Sequence, residues 1–379
     1  MQFYCMKKYW KLDWVITVSV ILLLSISLLM LYSMAPDKSA SMVNFKKQLF
    51  SAALGVFLMV VVSFYDYRML VRYSSKFYFA IVVLLSAVIF FGTTVRGHTG
   101  WLGIGSYRFQ PVEIAKIILI IFLAGFFSQK KNQLGIVVRI IASTVLIFIP
   151  LFLILRQPDF GSSIIIIGIW GIMLSVSGVN KKNLAALAIL GVITCGTTWF
   201  FLKSYQKDRI MNFIEPDRDP QGSGYNAIQA MVAVGSGSVF GKGLGHGSQS
   251  QLNFLPEKHT DFIFAVISEE LGFLGASFLL VVLTVLLYRI KETAKKARDN
   301  FGYLLAVGVL AMIFLQTFVN IGMNIGIVPI TGVPLPLVSY GGSSLVVVLV
   351  SLGIVQGVYA RRIKSNDSAR NHSEVFIED

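Results

Sequence analysis

Charge is scarce in this chain. Only 14% of its 379 residues are Asp, Glu, Lys or Arg, against 55% hydrophobic residues and a mean hydropathy of +0.72. That balance excludes a water-soluble globule of this length. Cysteine is almost missing, and Cys5 and Cys195, one in the N-terminal tail and one in an apolar run, offer no disulfide framework. His98, His246, His259 and His372 are scattered, with no Cys/His spacing of a metal site. No Gly-Lys-Ser/Thr phosphate loop occurs. The run Gly241-Lys242-Gly243-Leu244-Gly245-His246-Gly247 only superficially resembles one, since no buried strand precedes it. No small-residue cleavage site follows the first apolar run, which therefore reads as a retained helix, not a signal peptide. No inverted repeat is detected, which argues against a transporter or lipid flippase.

Long apolar runs are what the chain has instead. Stretches at 12–33, 48–65, 76–92, 112–127, 137–155, 160–178, 183–203, 262–289, 301–325 and 344–360 each approach the length of a membrane span. Unpaired backbone is prohibitive in lipid, so all ten are predicted to be helices. The expected fold is an all-α polytopic membrane protein with about ten transmembrane helices and a large extracytoplasmic loop containing short or re-entrant helices. Residues 1–364 form one transmembrane domain in this reading, and 365–379 a disordered tail. Placing both termini in the cytoplasm gives that side the larger share of Lys and Arg, as the positive-inside rule requires. The net charge of +14 is spread over juxtamembrane loops, which suits anionic lipid and not nucleic acid.

Most connections are short, but residues 204–260 form one long outer loop, where function is expected to concentrate. It carries Arg209 and Arg218, then Tyr225 to Val234 with an apolar face at helical spacing, including Gln229. Glycines follow at 235, 237, 241, 243, 245 and 247, whose amides are available to an anionic ligand in this reading, or which simply let the loop fold back. Ionisable residues in or beside the spans are the second signal, because each is costly in lipid. Glu113 and Lys116 share a helical face and read equally as a site or as a neutralised pair. Asp159 reads as a helix cap. Asp261 lies at the lip of the eighth span, and Glu269, eight residues on, is expected to return to the same face and line one polar track with it. Gln316, Asn320 and Asn324 form a polar stripe suited either to gluing helices or to lining a cavity. The last outer loop, 329–344, has three prolines and no charge, and reads as a rigid cover over a site.

Several motifs carry a family resemblance. Pro256-Glu257-Lys258-His259-Thr260-Asp261-Phe262-Ile263-Phe264 is followed by Glu269-Glu270-Leu271-Gly272. With them stand Gln110-Pro111-Val112-Glu113-Ile114-Ala115-Lys116, Gln157-Pro158-Asp159, and Pro334-Leu335-Pro336-Leu337-Val338-Ser339-Tyr340-Gly341-Gly342-Ser343-Ser344. Together and in this order they resemble the SEDS family (shape, elongation, division, sporulation), over essentially the whole chain. Asp208 to Pro216 and Asn320 to Gly326 look more like its elongation-type than its division-type members. The resemblance implies a peptidoglycan glycosyltransferase that polymerises lipid II on the outer face of the cytoplasmic membrane. Its implied partners are a class B penicillin-binding protein and other membrane proteins of the elongation complex. The family aspartate falls on Asp261. The chain departs from the family at Tyr225-Asn226, Gln229-Ala230 and Gly237-Ser238, which bears on contacts of the loop.

The implied chemistry agrees with the residue types. Transfer from a lipid pyrophosphate donor needs a base for the acceptor hydroxyl and cations or amides for the leaving group. Asp261 is the candidate base, its apolar neighbours being expected to raise its pKa. Inversion needs one carboxylate and no nucleophile. Arg108, Lys116, Arg209 and Arg218 are candidates for the phosphates, with Glu113, Asp159, Tyr225, Gln229, His259, Thr260, Glu269, Ser339 and Ser343 as further substrate contacts. His259 suits an orienting hydrogen bond beside Asp261. No protein metal site is expected, although a magnesium or manganese ion bridging pyrophosphate and carboxylate is compatible with the residues.

Overall fold

The computed structural model describes residues 12–362 apart from 35–39, 96–97, 105–106, 130–134, 199, 201–203, 216–222, 253 and 256. The expected tail at 365–379 therefore lies outside the described residues, as does Arg218.

All ten apolar runs are helical: α1 (Trp14–Ser33), α2 (Ala40–Phe64), α3 (Met69–Phe91), α4 (Pro111–Ser128), α5 (Ile136–Arg156), α6 (Phe160–Val176), α7 (Lys181–Thr198), α11 (Ile263–Lys295), α12 (Asn300–Asn324) and α13 (Gly342–Ala360). Among the described residues, eight of these are long and apolar enough to cross a membrane, α6 being one residue shorter than the shortest of them and α7 less apolar. The chain is a multi-pass membrane protein. The long loop contains α8 (Ser204–Ile214), α9 (Ser223–Ser236) and the single turn α10 (Ser248–Gln251), so its predicted short helices are present.

One element departs from the all-α expectation. Between α3 and α4 the chain forms a small antiparallel sheet, β1 (Thr93–Val95), β2 (His98–Ile104) and β3 (Tyr107–Phe109), in the order β1-β2-β3. Thr and aromatic residues interrupted by glycine favour strands over a helix, and this segment lies beyond the apolar runs, where strand edges need not be shielded from lipid.

Helix starts follow from local chemistry. Asp13 caps α1, accepting from the amides of Val15 at 2.9 Å and Ile16 at 3.4 Å. Asp299 caps α12 through the amide of Gly302 at 2.7 Å, and Pro111 opens α4, where its missing N–H is harmless. The buried Asp13 also takes both Nε (3.0 Å) and Nη2 (2.6 Å) of Arg289, tying α1 to α11.

The centre of the bundle is α4 with α12 and α13. In α4, 78% of the span is enclosed by protein, whereas in α3 the figure is 22%. α12 packs on α4, α6 and α11, and α2 lies along α13. That last pair is close because a Cβ at Gly353 would meet the Met59 carbonyl oxygen at 2.6 Å, the small-residue contact that lets membrane helices approach.

Candidate active site

At one end of the bundle the chain makes a turn at 257–262 before α11 begins, and Asp261 sits in it, half-buried. Three tethers hold this turn. The Asp261 carbonyl accepts from Asn320 Nδ2 and Asn324 Nδ2, both at 3.0 Å. Tyr340 N donates to the His259 carbonyl at 2.8 Å. Ser339 Oγ donates to the Thr260 carbonyl. All three act on main-chain atoms, so they fix where the carboxylate stands without using it.

The α12 stripe thus proves to be glue at its end next to the Asp261 turn. Asn320 Nδ2 also donates to Val333 O at 2.8 Å, and Asn324 Oδ1 accepts from Ala265 N at 3.2 Å. One turn deeper, Gln316 Oε1, like Asn320 Oδ1, is buried without a hydrogen-bond partner among the described residues. The proline-rich loop closes over the turn as expected: a Cβ at Gly332 would lie 3.5 Å from Asp261 Oδ2. The same loop touches α6, since a Cβ at Gly161 would meet the Thr331 carbonyl oxygen at 2.7 Å. Asp159 caps α6, accepting from Ser162 N at 2.9 Å. The start of α4 approaches α13, where Gln110 N donates to Ser343 Oγ at 3.4 Å.

Glu113 and Lys116 form a buried ion pair at 2.8 Å, both groups almost fully enclosed. A charge pair withdrawn from water in this way is retained only where it is neutralised or has a role. Tyr225 and Gln229 lie partly buried on α9. Arg108 and Arg209 are placed by their backbones in β3 and α8, and their side chains lie outside what the structure describes.

Glu269 departs from its expected place. The face it was predicted to share with Asp261 presumes one continuous helix through both residues, but α11 starts only at Ile263, after the turn. Glu269 instead points into the glycine loop. Oε1 accepts from Lys242 Nζ (2.9 Å), Gln249 N (2.9 Å) and Ser248 Oγ (3.3 Å), and Oε2 from Ser250 N (3.1 Å). The carboxylate is fully enclosed and satisfied, an anchor for α10. The glycine amides are also occupied in part: Lys242 N and Gly243 N donate to the carbonyls of Glu269 and Glu270, both at 3.0 Å. They pair the loop with α11, in agreement with the folding-back alternative.

Lys258 was not singled out from the sequence, although it lies in the same motif. It is buried, its Nζ donates to the Ser250 carbonyl, and burial pushes its pKa down against the pull of Glu270. Beside it, burial and then the Lys258 charge lower the pKa of His259, with Glu257 opposing. The imidazole is therefore neutral near pH 7, and its Nδ1 is buried with no hydrogen-bond partner among the described residues. A depressed histidine contributes stability above its unfolded pKa of about 6.5 and loses it as pH falls below that value. The thermal midpoint should accordingly drop as pH falls below about 6.5, and His259→Gln should flatten that drop. An equal pH dependence in both proteins would show that His259 does not titrate in this way.

Among the described residues no group of three His, Cys, Asp or Glu side chains could hold a metal ion. The candidate site is the Asp261 carboxylate on a tethered turn, beside the proline-rich loop, at one end of the helix bundle.

Comparison with known proteins agrees with this architecture. The model of the FtsW/RodA/SpoVE family, described as cell cycle proteins, matches residues 12–364. Peptidoglycan glycosyltransferase MrdB of Escherichia coli (strain K12) is 39% identical over 360 residues, covering 94% of this chain and 96% of that relative. A chain from a solved peptidoglycan synthase complex, studied for structural coordination of polymerization and crosslinking, superposes with a TM-score of 0.81 at 29% identity, over 94% of this chain and 100% of that one. The rod shape determining protein RodA of Thermus thermophilus superposes with a TM-score of 0.71 at 27% identity, over 94% and 99% of the two chains. With its motifs in order, its fold reproduced and nearly its whole length matched, the chain belongs to the FtsW/RodA/SpoVE family, the SEDS family of cell cycle proteins.

Proposed function

We propose that this chain, a peptidoglycan glycosyltransferase of the elongation type, polymerises lipid II on the outer face of the cytoplasmic membrane with Asp261 as general base. The observation that carries the reading is the triple main-chain tether of the Asp261 turn. A catalytic carboxylate has to be held to within about half an ångström by its surroundings, and here the surroundings grip the main chain on either side of it.

In the reaction, the Asp261 carboxylate takes the proton of the acceptor sugar hydroxyl as its oxygen forms the bond to the donor's anomeric carbon. The bond from that carbon to the lipid pyrophosphate breaks, and the pyrophosphate leaves with the electron pair. Displacement from the opposite face converts an α-linked donor into a β-linked product. Lys116, next to Glu113, and Arg108 are assigned to the phosphates, with Arg209 and Arg218 of the long loop as further candidates. A magnesium or manganese ion, were one bound with the substrate, would take few protein ligands and would supply positive charge for the leaving group. Asp159, Ser343, Tyr225 and Gln229 line the approach in this reading, whereas Glu269 serves the loop that carries it. The chain acts as a single transmembrane domain with both termini cytoplasmic, the orientation the positive-inside rule favours. A class B penicillin-binding protein crosslinks the strands.

The test is polymerisation by the purified protein together with its class B penicillin-binding protein, the transpeptidase being inactivated, on lipid II in proteoliposomes. Glycan strands with new β linkages are the expected product. If no strands form while lipid II crosses the bilayer, the protein is a flippase and the reading fails.

A further inference from the structure

Gln48 is a polar residue near the start of the α2 span, and it is 1% exposed. An amide in that position has to find partners inside the protein, and it does. Its Nε2 donates to Ser27 Oγ on α1 at 3.2 Å and to the Ser339 carbonyl at 3.1 Å, while its Oε1 accepts from Gly341 N at 3.3 Å. Both N–H groups and the carbonyl are thereby used, and two of the three bonds go to the main chain of the proline-rich loop. A single side chain rooted in two helices thus holds this loop from below.

We propose that Gln48 is a positioning residue for Asp261, acting through that loop; the inference rests on Asp261 being the base. The connection runs through neighbouring atoms. Gln48 fixes the peptide of Ser339. The Ser339 hydroxyl accepts from Leu335 N at 2.8 Å and donates to the Thr260 carbonyl. The next amide, Tyr340 N, donates to the His259 carbonyl at 2.8 Å. Residues 259 and 260 lead directly into Asp261. The turn is therefore gripped from two directions, by Asn320 and Asn324 of α12 on its Asp261 carbonyl and by the loop on its two preceding carbonyls. The α12 grip is made within the α11 and α12 pair. The loop grip is only as firm as the loop, and Gln48 ties the loop to α1 and α2.

Removing the amide lets the loop, and with it the approach of the carboxylate to the acceptor hydroxyl, drift. A misplacement of about 1 Å costs on the order of a hundredfold in rate, whereas binding of a long lipid substrate through its remote parts is little altered. In the reconstituted lipid II assay, Gln48→Met, which keeps the volume and removes all three hydrogen bonds, should lower kcat by about 10- to 100-fold with KM for lipid II within about twofold. Ser339→Ala leaves the carbonyl that Gln48 holds but cuts the bond to Thr260, and should lower kcat in the same way. The double variant should be no slower than the slower single one, because both substitutions open one route.

A wild-type kcat in Gln48→Met, a raised KM with kcat unchanged, or multiplying losses in the double variant would each overturn the proposal. Should Gln48→Met fail to fold, Ser339→Ala decides, a wild-type kcat there counting against it. Asp261→Asn is run alongside to separate the two readings. If it is inactive while Gln48→Met is normal, the base stands and the positioning role falls. If it polymerises normally while Gln48→Met is slow, the base assignment fails, and the proposal for Gln48 fails with it.

Discussion

Asp261→Asn is expected to abolish polymerisation, lowering the rate by about two to four orders of magnitude, the usual contribution of a general base. The substitution spares the tethers of the turn, which involve the Asp261 carbonyl and the carbonyls of His259 and Thr260. An asparagine keeps every one of these main-chain bonds and nearly the same shape. The thermal midpoint, lipid II binding and association with the penicillin-binding protein should then match wild type, so that loss of strands on a gel reports chemistry and not folding. Asn324→Ala is the contrasting case. It removes one of the two donors to the Asp261 carbonyl, Asn320 keeping the other, and the acceptor of the Ala265 amide, and should lower both rate and stability. An Asp261→Asn protein that retains more than about a tenth of the wild-type rate would remove Asp261 from the role of base.

Gly272→Ala should cost the protein most of its folded yield. Gly272 lies inside α11 yet has φ 67 and ψ −165, a region open in practice only to glycine, and any other residue there pays about 1–3 kcal/mol in backbone strain. Space is the larger obstacle. A Cβ at Gly272 would stand 2.2 Å from Gly241 N and 2.6 Å from the Val239 carbonyl oxygen. Those are backbone atoms of the glycine loop, which cannot rotate away. At this break the loop and α11 exchange main-chain hydrogen bonds: Phe273 N donates to Ser238 O at 2.9 Å and Leu274 N to Val239 O at 3.2 Å, beside the bonds from Lys242 N and Gly243 N. Separating the segments would sacrifice four bonds worth about 1 kcal/mol each, a large share of the stability of a folded domain. Size-exclusion profiles and thermal midpoints in detergent should show the loss. Gly171→Ala on α6, where a Cβ meets nothing within 4 Å, serves as the neutral comparison. A Gly272→Ala protein with the midpoint of Gly171→Ala would show that the break does not depend on glycine.

The same pair of segments shows where reading the sequence stops. Glycines at 237, 241 and 243 signalled a loop that folds back, but not what it folds against. The surface they meet is created by a helix break at Gly272, and nothing in the apolar run around it marks the break. Glu269 was placed with Asp261 by counting turns, and the count failed because the helix begins after the aspartate. It stands instead among Lys242 and the Gln249 and Ser250 amides, some 20 residues away along the chain. The Glu113 and Lys116 pair and the Asp159 cap were legible because both depend on spacings of three to four residues. Gln48 could have been noticed as a lone amide at the edge of an apolar span, but its partners in α1 and in the proline-rich loop are reached only through the fold.

The sequence by itself determined that the chain spans a membrane, where its ten helices lie, which family it belongs to, and that the charged motif before the eighth span matters. These follow from hydropathy, helical period and local motifs, each set by residues close along the chain and by the cost of exposing polar backbone to lipid. The tertiary structure alone decided how Asp261 is held, that Glu269 is an anchor, that three short strands between α3 and α4 pair as a sheet, and that one glutamine secures the covering loop. Those outcomes rest on hydrogen bonds between atoms up to about 290 residues apart, and a linear pattern cannot specify a contact whose geometry exists only after the helices have packed.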